Sequence, residues 1–260
     1  MNEALIADSR LWAIAEQGAS LRAEGVFSGG IYLSFADGSM LMLHDRRYGS
    51  LPFGAAVEGL LGRGRLLGVE PGMEAHLTPE ALGIAEAGVV FPVRYCPCDA
   101  PSGRIAASFL EKAAPAAVMP DDPFSRTAAP ALAKLSQGLE TGDEALLRAA
   151  VRGLVGLGRG LTPSYDDFLT GLLFCLHYAG RAIPALDCAV LGALDRTNRY
   201  SAAFLRAAAE GGMFSLLADC LAAGSDDQIQ KLLAVGSSSG RDMLAGLCRG
   251  AAFLSDHKLA

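Results

Sequence analysis

The fold is decided first by the stretch Ile31-Tyr-Leu-Ser-Phe-Ala-Asp-Gly-Ser-Met-Leu-Met-Leu43. Two apolar runs of strand length stand on either side of Asp37-Gly38. Asp-Gly between two such runs is a strong signal for a β-hairpin, because both residues tolerate the left-handed backbone of a tight turn. We therefore predict two antiparallel strands here.

The same pattern extends outward over the N-terminal half, from Val26 to Tyr95. Short apolar runs around Arg65–Val69 and Val89–Tyr95 are separated by glycines and by Pro71-Gly72. Closely spaced short strands favour a small, strongly bent antiparallel sheet or barrel. Before it, we predict a helix over about Asn2–Ala19.

The C-terminal half has a different pattern. Proline clusters at Cys96–Gly103 and Val118–Pro130 interrupt the strands, and apolar residues then recur every three or four positions. Thr141-Gly-Asp-Glu144 and Ser225-Asp-Asp-Gln228 fit capping boxes at helix starts. The predicted fold is α+β: a β-rich, barrel-like domain with an N-terminal helix over residues 1–98, and an all-α domain over residues 99–260.

Composition limits the classes of function. A net charge of −6 without a basic stripe argues against a nucleic-acid partner. The longest apolar stretch, Phe168–Ala179, is too short to cross a bilayer, and the N-terminus lacks an export pattern, so we expect a cytoplasmic protein with reduced cysteines. Cys96-Pro-Cys98 has a one-residue gap unlike that of zinc knuckles, which argues against a metal or redox role.

The most unusual segment is Gly156-Leu-Gly-Arg-Gly-Leu-Thr-Pro-Ser-Tyr-Asp-Asp-Phe-Leu-Thr-Gly171. We predict that a helix ends near Leu157, that Thr162 caps the next helix and that Pro163 is its first residue. Glycine-rich turns before a helix direct N–H groups toward one point, where the helix dipole favours an anion. The predicted anion site comprises the backbone amides of Gly158, Gly160 and Thr162 and the guanidinium of Arg159. It lacks the Gly-Lys-Ser/Thr ending of a nucleotide-binding P-loop.

Asp166 and Asp167 complicate this anion site. Acids in the first helical turn match the helix dipole but repel a nearby anion. The two carboxylates could hold a divalent cation, accept N–H groups of an amide or ureido substrate, or point away. A well-capped buried helix with dipole-matched acids explains the same residues without any ligand.

A second segment resembles the first. Ser164–Leu172 aligns without gaps on Ser239–Leu247, with Ser, Asp, Leu, Gly and Leu matching at five of nine positions. The flexible run Gly236-Ser-Ser-Ser239 precedes the second copy. If this is a repeat rather than a chance match, the two helix starts could face each other across one site. Arg241 then stands where the first copy has Asp166, which would suit a zwitterionic or carboxylate-plus-amide ligand.

Asp195-Arg-Thr-Asn-Arg-Tyr-Ser201 is a third candidate. Thr197 and Ser201 share a helix face if the stretch is helical, although the stretch on its own favours a capped helix junction. The four histidines show no metal-ligand spacing, and no serine or cysteine stands in a nucleophile-elbow pattern.

Residues 156–171 resemble the signature of the AllH-like family. The resemblance extends to Thr197, Ser201 and Leu205, to Ser238-Ser-Gly-Arg-Asp-Met-Leu-Ala-Gly246, and more weakly to Leu51-Pro-Phe-Gly54. Two positions depart from the family pattern: Tyr165 stands where Gly is usual, and Ser237 where His is usual.

The resemblance implies a subunit of an oxamate carbamoyltransferase, a complex with other subunits that cleaves oxalurate with phosphate to oxamate and carbamoyl phosphate in allantoin catabolism. An enzyme active only in such a complex is one interpretation; a non-catalytic regulatory or scaffold subunit that binds a small carboxylate or carbamoyl compound is the other. A divalent metal is left open. The candidate catalytic residues are Asp166, Asp167 and Asp242. The candidate substrate-binding residues are Gly158, Arg159, Gly160, Thr162, Ser164, Thr197, Ser201, Ser239 and Arg241.

Overall fold

The computed structural model describes residues 5–8, 11–27, 29–60, 67–96 and 102–256. The chain divides into two compact units. The first comprises residues 1–99 with 213–215, and the second comprises residues 100–212 with 216–260.

The first unit is a closed barrel with strand order β1-β5-β4-β3-β2-β6-β7-β8. Strands β1 and β8 run parallel, as do β4 and β5, while the other neighbours are antiparallel. The strands are β1 Leu5–Asp8, β2 Ala19–Phe27, β3 Gly30–Phe35, β4 Met40–Asp45, β5 Gly54–Val57, β6 Glu74–Leu77, β7 Ala81–Ile84 and β8 Val89–Cys96.

The predicted hairpin is confirmed as β3 and β4. Gly38 at its turn has φ of 83°, a value that L side chains rarely adopt. Asp37 accepts hydrogen bonds from the amide and hydroxyl of Ser39 and so fixes the turn. Alternate strand residues such as Leu33 and Leu43 fill the barrel interior, which confirms the predicted barrel-like half.

The predicted N-terminal helix is wrong for most of its described residues. Leu5–Asp8 form strand β1, and helix α1 is a single turn, Trp12–Ala15. Strand β1 pairs with β5 on one side and β8 on the other, so it closes the barrel. These long-range hydrogen bonds outweigh the local helix propensity of the segment.

The expectation that Cys96 and Cys98 have no metal or redox role concerns a pair of which only Cys96 is described, because Cys98 lies outside the described residues.

The regular elements among the described residues of the second unit are all helices, which confirms the α+β layout of a barrel followed by helices. Asp143, rather than Thr141, caps α4, because α3 continues to Thr141. The helices are α2 Phe109–Ala113, α3 Pro123–Thr141, α4 Glu144–Leu154, α5 Ser164–Tyr178, α6 Pro184–Leu191, α7 Arg199–Ala209, α8 Ser215–Ala223, α9 Asp226–Leu233 and α10 Ser239–Asp256.

Helix α5 is the central element of this unit. Almost its entire surface is buried, including Leu169, Leu172 and Phe174, which are completely inaccessible. A helix that is apolar all round belongs in the interior of a bundle. Because α5 begins at the glycine-rich turn, the burial of α5 fixes the position of that turn. Among the described residues, no helix combines the length and hydropathy needed to cross a membrane.

Candidate functional site

A glycine-rich loop joins α4 to α5. Gly156, Gly158 and Gly160 have φ of 80°, 134° and 94°. A Cβ atom on Gly156 would lie 2.3 Å from the carbonyl oxygen of Arg196, and one on Gly158 would lie 2.2 Å from the amide nitrogen of Ser164. Both positions therefore require glycine for steric as well as conformational reasons.

Backbone and side-chain hydrogen bonds hold this loop at both ends. At the first end, the amide of Tyr165 donates to the carbonyl oxygen of Leu157 at 3.0 Å. At the second, Nδ2 of Asn198 donates to the carbonyl oxygen of Leu161 at 2.8 Å. The oxygen Oδ1 of the same Asn198 accepts the amides of Tyr200 and Ser201, so Asn198 is also the N-cap of α7.

Between these fixed ends, the loop amides are free. Within the described chain, the N–H groups of residues 158–162 have no hydrogen-bond acceptor. These residues are half-buried or exposed, so solvent or a ligand can reach their backbone. The guanidinium of Arg159 lies 5.5 Å from the centre of the Phe124 ring, a cation–π contact beside the loop. A fixed loop with unpaired donors is the arrangement that anion sites use.

Asp166 is buried and fully occupied by protein donors. Its Oδ1 accepts the amide of Gly156 at 2.7 Å. Its Oδ2 accepts the hydroxyls of Thr197 at 2.5 Å and Ser201 at 2.7 Å. Burial raises the pKa of Asp166, while these hydrogen bonds act in the opposite direction. Thr197 has an extended backbone and lies outside the helix, so the two hydroxyls converge on Asp166 without sharing a helix face.

Asp167 is equally buried and lies between the two helix starts. The hydroxyl of Thr162 donates to its Oδ2 at 2.9 Å and lies 3.0 Å from the hydroxyl of Ser239. Burial raises the pKa of Asp167 well above its ordinary value, hydrogen bonds from Ser239 and Thr162 lower it, and the charge of Asp242 raises it further. The prediction that Thr162 caps α5 is wrong: Pro163 holds the cap position, and the Thr162 hydroxyl serves Asp167 instead.

Asp242 is buried like the other two aspartates, but its two oxygens have different surroundings. Nη2 and Nε of Arg241 donate to its Oδ1 at 3.1 and 3.3 Å. Its Oδ2 is buried and has no hydrogen-bond partner in the described part of the chain. Burying an unpaired carboxylate oxygen is costly, so this acceptor is the strongest candidate for contact with a ligand. Arg241 pairs with its neighbour Asp242. Asp166, which holds the equivalent position in the first segment, is bound instead by Gly156, Thr197 and Ser201.

The two similar segments pack against each other as α5 and α10. A Cβ atom on Gly171 would lie 2.1 Å from the carbonyl oxygen of Met243, and one on Gly246 would lie 2.0 Å from that of Phe168. Gly171 and Gly246 occupy the same position of the repeat, and so do Met243 and Phe168. The contact is therefore reciprocal, as a pseudo-twofold pair requires, and the two helix starts lie side by side.

The structure thus brings most of the candidate residues into one region around the start of α5. Ser164 is half-buried at the first position of α5, and its hydroxyl donates no hydrogen bond to any of the described residues. Across the described ranges, no three Asp, Glu, His or Cys side chains are arranged to hold a metal ion. Sequence reasoning misses Asn198 as a site residue, although an Asn before an apolar helix is a recognisable cap signal.

Comparison with known proteins agrees with the sequence motifs. Residues 154–251 match the family model described as oxamate carbamoyltransferase subunit AllH, which confirms the resemblance inferred from the motifs. This range contains the glycine-rich loop, all of α5 and the first 13 residues of α10. No curated protein and no solved structure gives a significant match.

Proposed function

Because residues 154–251 match the AllH family model, we propose that this chain is a subunit of a carbamoyltransferase complex that acts on oxamate- or oxalurate-like ureido compounds with phosphate or carbamoyl phosphate. The observation that carries the proposal is the loop of residues 158–162, which is hydrogen-bonded at both ends and presents five amides without acceptors in the described chain.

In the proposed site these amides bind the anionic group of the substrate. The positive end of the α5 dipole adds to their attraction for phosphate or carboxylate. Because the ends of the loop are already fixed, little reorganisation is needed when charge develops on the reacting carbonyl, which is the condition for effective oxyanion stabilisation. Arg159, held beside the loop at Phe124, supplies a full positive charge.

The three aspartates have different roles in this proposal. Asp166 and Asp167 act as positioning residues, since they hold Gly156 and Thr162 at the two sides of the loop. Asp242 is the proposed substrate-contacting carboxylate, because its Oδ2 can accept an N–H of the carbamoyl or amide nitrogen.

The proposed reaction is a phosphorolysis. An oxygen of phosphate forms a bond to the ureido carbonyl carbon, and the bond from that carbon to the oxamate nitrogen breaks. The electron pair stays on the nitrogen, which takes up the proton released by phosphate. The products are carbamoyl phosphate and oxamate. Partner subunits, which the family description implies, supply the remaining groups of the site.

The alternative is a non-catalytic subunit that binds a small anion and regulates or supports an assembly. It is favoured by one observation: protein donors already occupy both oxygens of Asp166 and Oδ2 of Asp167, where a general base would accept its proton. Activity of the assembled complex separates the two functions. A catalytic site predicts that Asp242→Asn lowers kcat, whereas a regulatory site predicts that only the response to the anion changes.

Calorimetric titration of the full chain with phosphate, oxamate and carbamoyl phosphate tests the anion site. Gly160→Ala strains a loop residue with φ of 94°, and Gly180→Ala is its control, a residue of the same unit with φ of 67° and open space where the new methyl group would lie. We expect Gly160→Ala to weaken binding by about tenfold and Gly180→Ala to leave it unchanged. Equal affinities in the two variants would refute the proposed site.

A second titration tests Asp242 directly. Oxamate carries an NH₂ group where oxalate carries an oxygen, so only oxamate can donate to Oδ2 of Asp242. We expect Asp242→Asn to abolish any preference for oxamate over oxalate while phosphate binding persists. Titrations with and without Mg²⁺ decide whether a divalent cation contributes. An unchanged preference would remove Asp242 from the substrate site.

A further inference from the structure

A cavity lies on the surface of the helical unit, between α4 and α6. Its volume is about 450 Å³, and it is built by residues other than those of the glycine-rich loop. Cavities of this size hold small organic molecules, whereas a bare ion needs far less space.

The α4 wall of this cavity is cationic. Arg148 and Arg152 are one turn apart on α4, so their side chains leave the same face of the helix. Glu144, a turn earlier, lies 3.9 Å from Arg148. Arg152 has no acidic partner among the described residues, although the chain as a whole is acidic, with a net charge of −6. An arginine without a partner in a cavity is a ready site for a carboxylate or phosphate group, which it binds in a fork geometry.

The α6 wall is uncharged and made of small residues. Ala185, Cys188 and Ala189 line it, and Cys188 is an exposed free thiol. These side chains leave room for the body of a ligand and offer it an apolar surface without a competing charge. The two walls together therefore suit a molecule with one anionic end and an uncharged remainder.

We propose that the cavity between α4 and α6 is a second ligand site, which binds a small organic anion through Arg152 and Arg148 and seats its apolar body against Cys188 and its neighbours. This site is independent of the carbamoyl chemistry proposed above, since the glycine-rich loop contributes no residue to it.

Ligand binding at this site can be followed by the rate at which the thiol of Cys188 is labelled. The aromatic disulfide 5,5′-dithiobis(2-nitrobenzoate) is itself an organic anion of the proposed class, and dipyridyl disulfide is an uncharged aromatic counterpart. In each reaction the Cys188 thiolate attacks the disulfide, the reagent S–S bond breaks, a mixed disulfide forms and a thiolate leaves. The thiol proton goes to solvent. Cys188 is the only cysteine of the tryptic peptide 182–196, so mass spectrometry follows its labelling separately from that of the other cysteines.

We expect labelling by the anionic reagent to saturate with concentration, as binding before reaction requires, and to slow in the presence of benzoate or phenyl phosphate. Arg152→Gln should lower the labelling rate about threefold to fivefold, the size expected for one solvent-exposed ion pair, with no change for the uncharged reagent. The control Arg206→Gln removes an exposed arginine of α7 that does not line the cavity and should have no effect.

Three results would overturn the proposal. The first is a labelling rate that rises linearly with reagent concentration and is unaffected by either small anion. The second is an equal effect of Arg152→Gln and Arg206→Gln. The third is protection of Cys188 only when another protein is added, because the surface would then be a protein interface.

Discussion

Asn198 serves two elements through the two ends of one side chain. Its Oδ1 caps α7, and its Nδ2 holds the carbonyl of Leu161 in the glycine-rich loop. Asp is as good an N-cap as Asn but carries no donor. A single isosteric substitution, Asn198→Asp, can therefore remove the hydrogen bond to Leu161 and keep the cap of α7.

We predict that Asn198→Asp weakens phosphate binding at the loop by about tenfold or more, because the carbonyl of Leu161 loses its donor and the new carboxylate repels the anion. The free energy of unfolding should change by less than about 1 kcal/mol, because the cap remains. Calorimetric titration and urea unfolding measure the two quantities. The comparison is Asn198→Ala, which loses both the cap and the hydrogen bond to Leu161. It should reduce both the phosphate affinity and the free energy of unfolding. A stability loss without an affinity loss in Asn198→Asp would contradict the proposed role of the loop.

Asp167 is a buried carboxyl whose pKa is raised mainly by burial. The folded protein therefore keeps its proton at pH values at which the unfolded chain has released it. Linkage then requires that folding becomes less favourable as the pH rises from about 4 through the raised pKa. Asp167→Asn keeps the shape and the oxygen that accepts the Thr162 hydroxyl, but it does not titrate.

We predict that Asp167→Asn gains stability relative to the native protein as the pH rises from 4 to 8, measured as the free energy of unfolding in urea. The control is Asp166→Asn. Protein donors contact both oxygens of Asp166, so an NH₂ group there faces a donor and costs about 1–3 kcal/mol even at neutral pH. A pH-independent difference between Asp167→Asn and the native protein would show that Asp167 is ionised throughout this range.

At the scale of the elements, the pairing of α5 with α10 depends on glycines at equivalent positions. Gly171 faces the carbonyl of Met243, and Gly246 faces the carbonyl of Phe168. A backbone carbonyl cannot rotate away as a side chain can. Gly250, farther along α10, faces the side chain of Cys175, whose Cβ would lie 2.8 Å from an added methyl group.

We predict that Gly171→Ala and Gly246→Ala each lower the free energy of unfolding by about 2–3 kcal/mol, the upper part of the usual cost of overpacking. Gly250→Ala is the matched control and should cost less, because the nearest atom would lie 2.8 Å from the new methyl group rather than 2.0–2.1 Å. Urea unfolding followed by circular dichroism measures all three. If Gly171→Ala and Gly246→Ala were as stable as the native protein, α5 and α10 would not be in the close contact described.

At the scale of the whole molecule, acid should destabilise the barrel more than the helical unit. In the barrel, burial lowers the pKa of His44 to about 4. The unfolded chain therefore binds a proton that the folded barrel rejects, and the barrel loses stability as the pH falls from 6.5 toward 4. In the helical unit the raised pKa values of Asp166 and Asp167 oppose such a loss over the same range.

Two signals separate these responses in the intact chain. The single tryptophan, Trp12, lies in the barrel unit with its ring 5.1 Å from that of Tyr95, so its fluorescence reports the barrel. Far-UV ellipticity reports mainly the helices. We predict that the fluorescence midpoint in urea falls between pH 6.5 and 4 by more than the ellipticity midpoint does, and that His44→Gln reduces this fall. Parallel midpoints at every pH would refute the prediction.

Local signals are sufficient to predict several features. The hairpin around Gly38 and the glycine-rich loop are predictable because a positive φ leaves few alternatives to glycine. Ser225 caps α9 as its sequence pattern indicates, and its hydroxyl accepts the amide of Gln228 at 3.5 Å. The prolines of Val118–Pro130 predict a loop, yet α3 begins at Pro123 because Asp122 and Ser125 form a capping box there.

The sequence by itself determined the strand and helix periodicities, the turns that only glycine allows and the repeated helix start, because each depends on neighbouring residues. Tertiary structure alone decided that Leu5–Asp8 closes a barrel, that Thr162 binds Asp167 instead of capping α5, and that Asp242 keeps a free oxygen among the described residues. These outcomes depend on partners far away in the chain. A buried polar atom takes whichever partner packing brings within hydrogen-bond distance, and local sequence does not encode that distance.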